Sequence, residues 1–336
     1  MKEAKLYKKN SDGSVTCLTC AHKCRIANGK RGICRVRENR DSRLYTLVYG
    51  NPVATHIDPI EKKPLFHFLP GSSAFSIATV GCNMHCLNCQ NADISQAGPE
   101  EGSGFPAVSP EDIVKAAFQR ECGSIAYTYT EPAIFFDYAY DISLLADKQG
   151  IKNIFITNGF WSKEALKEIA PFMHGANVDL KFFKDEMYKK ICGAKLGPVL
   201  DTIIRMKELG VWVELTTLVI PGLNDSSEEL KQIAEFIVSV DKSIPWHISR
   251  FYPTYKMADI PPTSADTLKN AREIGFEAGL RFVYTGNIPG DTGENTFCPS
   301  CGRELISRYG FSTGNINIKD GKCRWCGEDI EGVWQS

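Results

Sequence analysis

The chain has 336 residues, a formal net charge of −1 and 13 cysteines. That length accommodates one large α/β domain with appendages, and a core that needs no disulfides. The near-zero charge excludes a strong field for nucleic acid. No run of about eighteen apolar residues could span a membrane, and Met1-Lys2-Glu3-Ala4-Lys5 leads into no apolar signal core. A cytoplasmic location is expected, and there clustered cysteines point to metal rather than disulfides.

Residues 1–70 read as an N-terminal Cys-rich metal-binding region with weak helical signal. Cys17, Cys20, Cys24 and Cys34 place four soft ligands within eighteen residues. Zinc in a closed thiolate site and a second four-iron cluster both fit that ligand type. The segment Lys23 to Arg43 carries eight basic residues against Glu38 and Asp41. It reads as a solvated face, or as a surface for an acidic partner.

Residues 71–290 alternate strand and helix, which predicts a parallel sheet. Strands rich in β-branched and aromatic residues are expected at 74–79, 124–129, 153–157, 176–180, 211–220, 246–251 and 281–285. Ser109 before Pro110 caps one helix. Ser226-Ser227-Glu228-Glu229 reads as a capping box for another, and Thr263-Ser264-Ala265-Asp266 opens the last. Seven strand candidates suit a partial barrel, whose chemistry sits at the C-terminal strand ends. Residues 97–110, rich in glycine and proline, are expected to form a flexible loop.

Directly after the first expected strand come Cys82, Cys86 and Cys89, spaced Cys-x3-Cys-x2-Cys, with Cys122 the next cysteine along. An ordinary four-iron cluster takes four thiolates, so three leave one iron open. An open coordination position is a binding site, as it is in catalytic zinc. The next strands end in polar residues that could face one cavity: Tyr129-Thr130-Glu131-Pro132, Thr157-Asn158-Gly159 and Asp179-Leu180-Lys181. Later strands carry His247 and Arg250 in Trp246-His247-Ile248-Ser249-Arg250, and Gly286-Asn287.

The tail, residues 291–336, has Cys298-x2-Cys301-Gly302 and Cys323-x2-Cys326-Gly327. Paired knuckles of this kind signal a zinc ribbon, although iron in a rubredoxin-like site uses the same ligands. A short tail with so little core needs a metal staple.

The Cys82/Cys86/Cys89 spacing resembles the signature of radical S-adenosylmethionine (SAM) enzymes, with Asn88 where that family usually carries an aromatic residue. Glu131-Pro132 matches the end of the Gly-Gly-Glu-Pro motif of activating-type members, with Tyr129 and Thr130 in place of the glycines. The resemblance implies an α/β partial (β/α)6-type barrel and a [4Fe-4S] cluster on Cys82, Cys86 and Cys89 that cleaves SAM reductively to a 5'-deoxyadenosyl radical. It implies SAM contacts from Glu131, Thr157, Asn158, Asp179, Lys181 and His247, and an electron donor of flavodoxin or ferredoxin type. The N-terminal quartet, the Tyr-Thr-Glu-Pro form and the C-terminal ribbon together look like the radical SAM enzyme of the AmmeMemoRadiSam system, whose name comes from two possible companion proteins. The substrate does not follow from these residues. A glycyl-radical activase of the pyruvate formate-lyase activating type and a non-enzymatic metal-binding interaction protein are the competing expectations.

Overall fold

The computed structural model describes residues 1–101, 106–288 and 290–335. Its centre is an 8-stranded sheet. Seven of the strands are parallel and run in chain order: Ser73–Ala78, Ser124–Tyr127, Lys152–Thr157, Gly175–Asp179, Trp212–Val219, Trp246–Arg250 and Val283–Gly286. Each lies within two residues of its expected bounds. The first starts one residue early; the last starts two residues late. The expectation of alternating strand and helix holds because these strands are buried on both faces. One face packs the barrel interior and the other packs helices, so apolar β-branched residues dominate.

The sheet also gains a strand from the N-terminal region, before the expected barrel start at residue 71. Ala54–Pro59 pairs antiparallel with Ser73–Ala78, from Ala54 opposite Ala78 to Pro59 opposite Ser73. Most of its side chains are exposed, as suits an edge strand, and no apolar run marks it in the sequence. Residues 102–105 of the expected 97–110 loop lie outside the described residues. Beyond them Val108 N–H donates to the Gly50 carbonyl at 2.7 Å.

Helices Pro110–Gln119, Phe136–Lys148, Lys163–Ile169, Leu196–Glu208, Ser227–Val240 and Ala265–Glu277 cover the outer face. Ser109 and Asp112 form a reciprocal capping box, and Ser264 caps the last helix through Thr267 N–H. The box expected at Ser226 forms by half. Ser226 accepts from Glu229 N–H. The Glu229 carboxylate instead takes the Phe183 N–H at 2.9 Å and the Lys184 ammonium at 3.0 Å, because it is buried beside the 180–184 turn. Among the described residues no helix is long and apolar enough to cross a membrane.

The N-terminal region forms two small antiparallel sheets, Lys2–Glu3 with Arg43–Thr46 and Arg37–Arg40, and Tyr7–Lys9 with Val15–Cys17 and Arg25–Ile26. It is tied to the barrel by a buried ion pair, Arg37 Nη2 to Asp137 Oδ2 at 2.8 Å. At the other end, residues 65–69 plug the barrel. Leu65 and Phe68 pack on Ala74, Ala126 and Ile154 near the strand starts. The tail covers this plug, with Leu305, Ile306 and Ile330 against Phe66, Phe282 and Tyr284. The open rim for chemistry is therefore the opposite one, at the C-terminal strand ends.

Candidate active site

The cysteine loop follows the Ser73–Ala78 strand and rests on three supports. Gly81 has φ +94°, and a Cβ there would lie 2.7 Å from Val36 Cγ1 and 2.9 Å from the Cys34 carbonyl. Glycine is thus required where the N-terminal region meets the loop. His85 and Leu87 donate their N–H groups to the Cys192 and Ile191 carbonyls, at 2.9 and 3.0 Å. Those two residues end the π-helical turn Tyr188–Cys192, a rare form that concentrates at functional sites. Asn158 Nδ2 donates to Asn83 Oδ1 at 2.8 Å and lies 3.8 Å from Cys82 Sγ.

Burial, followed by the Glu131 charge, pushes the Cys82 thiol well above its usual pKa. Its thiolate therefore needs a compensating cation, which is what a metal supplies. Cys86 is held below the usual thiol value, first by the Cys192 thiol bonded to it. Cys192 stands far away in sequence and reads as a singleton; the π-helical turn brings it in. A donor on a ligating sulfur is a lever on cluster potential.

Asp179 and Lys181 meet on the open rim, Nζ to Oδ2 at 2.8 Å, with side chains 35% and 21% exposed. Burial lowers the affinity of Lys181 for its proton, but the Asp179 charge, the Cys86 and Cys192 sulfurs and the hydrogen bond to Asp179 together outweigh it and hold the ammonium charged. The strand end is fixed from behind: Lys181 N–H donates to Tyr188 Oη at 3.0 Å, and Asn224 Nδ2 donates to the Lys181 carbonyl at 2.7 Å. Tyr129 stands where activating-type relatives have glycine, yet it keeps a glycine-like φ of +62°. Such strain costs on the order of 1 kcal/mol. Its hydroxyl donates to Asp58, and the Lys63 ammonium sits 4.4 Å from its ring centroid, which holds the bend.

Three expected SAM contacts are otherwise engaged. The Glu131 carboxylate is 1% exposed and accepts from Ala133 N–H (3.0 Å), Asn158 N–H (2.8 Å) and the Thr157 hydroxyl (2.8 Å). The Thr157 hydroxyl in turn accepts from Trp161 Nε1 at 2.8 Å, which turns it toward the helix layer. His247 lies on the tail side of the barrel. Its Nε2 donates to Glu214 at 2.7 Å, and Phe66 and Tyr284 pack against its ring. Strand position predicted polar ends correctly, but could not show that these groups would be consumed by neighbouring donors and rings.

Burial raises the Glu131 carboxyl to about 7, against the three hydrogen bonds that favour its charge. Glu131→Gln leaves at least one of these donors facing an NH2 group. At pH 8 a loss of about 1–3 kcal/mol of stability is expected. The deficit widens below pH 7, where the folded wild type takes up a proton that its unfolded chain, with a carboxyl near 4.5, does not bind, so its stability rises while that of the Gln variant does not. Denaturant titration of both proteins at pH 6 and 8 checks this; equal stability at pH 8 contradicts it.

In the tail, Cys298 and Cys326 sulfurs lie 3.6 Å apart, and Cys301 and Cys323 lie 3.8 Å apart. Four thiolates around one tetrahedral ion at a bond length of about 2.3 Å are spaced by about 3.8 Å. Burial raises the Cys323 thiol, but the N–H groups of Cys326 and Trp325, with the Cys326 and Cys298 thiols, together outweigh it and draw the thiol down to about 7. This is a closed Cys-rich metal-binding site.

The sequence model of the radical SAM superfamily matches residues 76–237. An uncharacterized protein of Methanocaldococcus jannaschii is 45% identical over 334 residues, covering 98% of this chain and 99% of its own. The pyruvate formate-lyase-activating enzyme of Clostridium pasteurianum is 26% identical over 192 residues, covering 54% of this chain and 80% of that enzyme. Streptococcus suis SuiB bound to S-adenosylmethionine superposes with a TM-score of 0.53 at 14% identity, covering 71% of this chain and 56% of that one, a likeness of fold. The chain belongs to the radical SAM superfamily and is an enzyme of the radical SAM kind, similar to pyruvate formate-lyase-activating enzymes.

Proposed function

We propose that Cys82, Cys86 and Cys89 hold the [4Fe-4S] cluster of this enzyme and that SAM binds over it on the open rim. The observation that carries the reading is the three-cysteine loop on the same rim as the half-buried Asp179–Lys181 pair, with Lys181 close enough for its charge to act on Cys86. When bound, the cluster supplies the electron that splits SAM into methionine and a 5'-deoxyadenosyl radical, which takes a hydrogen atom from the substrate. Lys181 pairs with the methionine carboxylate as a point charge. Asp179, relieved of that lysine, accepts from the SAM ammonium. Asn158 positions Asn83 and the Cys82 sulfur. The Tyr188 hydroxyl and Asn224 keep the Lys181 backbone in register.

The N-terminal quartet, Tyr129-Thr130-Glu131-Pro132 and the tail support placement with the AmmeMemoRadiSam radical SAM enzymes, acting in the cytoplasm with a flavodoxin- or ferredoxin-type donor and with companion proteins. Zinc is the proposed ion of Cys298, Cys301, Cys323 and Cys326. The similarity to the Clostridium pasteurianum enzyme favours a second reading, activation of a glycyl-radical protein by hydrogen abstraction, an oxidoreductase-type step.

Lys181→Met removes a charge-assisted partner worth about 1.5–3 kcal/mol, so SAM affinity is expected to fall roughly 10- to 150-fold. Equilibrium dialysis of cluster-loaded protein with labelled SAM reads the change, while iron content stays constant. Unchanged affinity in Lys181→Met and in Asp179→Asn rejects this SAM site.

A further inference from the structure

The four N-terminal cysteines come from separate turns of the chain. Cys17 ends a strand, Cys20 bridges to Trp161 at the barrel, Cys24 precedes the next strand, and Cys34 lies under the catalytic loop. They nevertheless line one pocket, together with Arg37 and Asn83. His22, between Cys20 and Cys24 in the chain, turns to the catalytic loop: its Nε2 donates to the Asn83 carbonyl at 2.8 Å.

Two observations discriminate what the pocket holds. The first is spacing. One tetrahedral zinc draws its sulfurs to about 3.8 Å from one another. Among the described residues, the tail quartet is the one group of three or more ligand atoms lying within 4.8 Å of one another. No three of the N-terminal sulfurs, and likewise not the trio of Cys82, Cys86 and Cys89, lie that close to one another. A cubane cluster requires this, because each thiolate then binds a different corner iron. The second is Arg37. It is 1% exposed, and one nitrogen is paired with Asp137. Its Nε and Nη1 are buried without a partner. Buried N–H groups left unpaired are costly, more so when charged, so they call for acceptors in the pocket. The guanidinium lies close enough to Cys17 and Cys34 for their charges to act on it. Sulfide and thiolate sulfurs are the acceptors that an iron–sulfur cluster would place there, and such bonds tune its potential.

We propose that Cys17, Cys20, Cys24 and Cys34 hold a second [4Fe-4S] cluster, not zinc, with Arg37 donating to its sulfurs. All four ligands are protein thiolates, so this cluster has no open iron and binds no SAM. Asn83 touches both pockets, through its carbonyl to His22 and its side chain to Asn158, so the cluster sits in position to pass electrons to the catalytic one.

Iron and zinc are counted in anaerobically purified, cluster-loaded full-length protein, and in the variant with Cys82, Cys86 and Cys89 all replaced by alanine. The wild type is expected to hold about eight iron and about one zinc per chain. The triple variant should keep about four iron and, after dithionite reduction, the paramagnetic resonance of a reduced four-iron cluster. Adding Cys17→Ser and Cys34→Ser should remove that signal. About four iron with two zinc in the wild type, or about four iron with the N-terminal quartet empty, overturns the inference without any variant having to fold. A wild type with only about four iron, all of it kept by the triple variant and lost on adding Cys17→Ser and Cys34→Ser, would uphold this cluster and reject the catalytic assignment, so the two readings fail separately.

Discussion

Cys82→Ala, Cys86→Ala and Cys89→Ala are each expected to abolish 5'-deoxyadenosine formation from SAM while the barrel stays folded. Each removes one of three thiolates, and none of the remaining groups on the loop can replace it. His85 points its ring to Gln96, Nδ1 to Oε1 at 2.8 Å, and Asn83 is held by Asn158. Cys192 is the one nearby thiol, but it stands on the π-helical turn behind Cys86, not in the gap that Cys82 or Cys89 would leave. The loop is also supported mainly by backbone bonds, at Gly81, His85 and Leu87, which survive loss of a sulfur. Circular dichroism should therefore match wild type while product formation falls to background. A single alanine variant with full 5'-deoxyadenosine output contradicts the ligand assignment.

Deleting residues 291–336 is expected to unfold or aggregate the barrel. From sequence, this tail looks like a small ribbon with little to bury. In the structure it is the floor of the barrel. Phe66, Phe282 and Tyr284 would lose Leu305, Ile306 and Ile330, at about 1.5–3 kcal/mol for each large side chain exposed. Arg308, 6% exposed, bonds the Phe66 carbonyl at 2.8 Å and lies 4.1 Å from the Phe66 ring centroid. His67 Nδ1 would lose the Glu331 carbonyl, and Glu61 would lose the Thr313 hydroxyl, at about 1–3 kcal/mol for each buried group left unpaired. These losses together match the whole stability of an ordinary domain, about 5–15 kcal/mol. Stripping the tail metal from the intact chain should have a smaller effect in the same direction, read as a fall in Tm. Recovery of a soluble deletion variant with wild-type Tm would contradict the structural role.

The parallel sheet was legible because its strands are apolar runs between capped helices, and the cysteine loop because three cysteines in polar sequence have few other uses. The edge strand Ala54–Pro59 was not legible, since exposed polar residues carry no strand signature. Cys192 and Tyr188 were hidden by distance along the chain: nothing in Tyr188-Lys189-Lys190-Ile191-Cys192 says that the turn will lie under Cys86. Glu131, Thr157 and His247 show the converse. Their positions at strands were readable, but whether a polar group faces a ligand or a neighbour depends on which donors tertiary packing brings to it. Tyr129 carries both lessons, since it departs from the glycine of the activating-type motif while adopting a positive φ that glycine favours.

The central claim is that this rim cleaves SAM reductively. Anaerobic, cluster-loaded protein is incubated with SAM and dithionite, and 5'-deoxyadenosine and methionine are quantified by chromatography against a reaction without reductant. The account predicts reductant-dependent 5'-deoxyadenosine with matching methionine. Protein that carries its cluster and binds SAM, yet forms no 5'-deoxyadenosine under reduction, would contradict it.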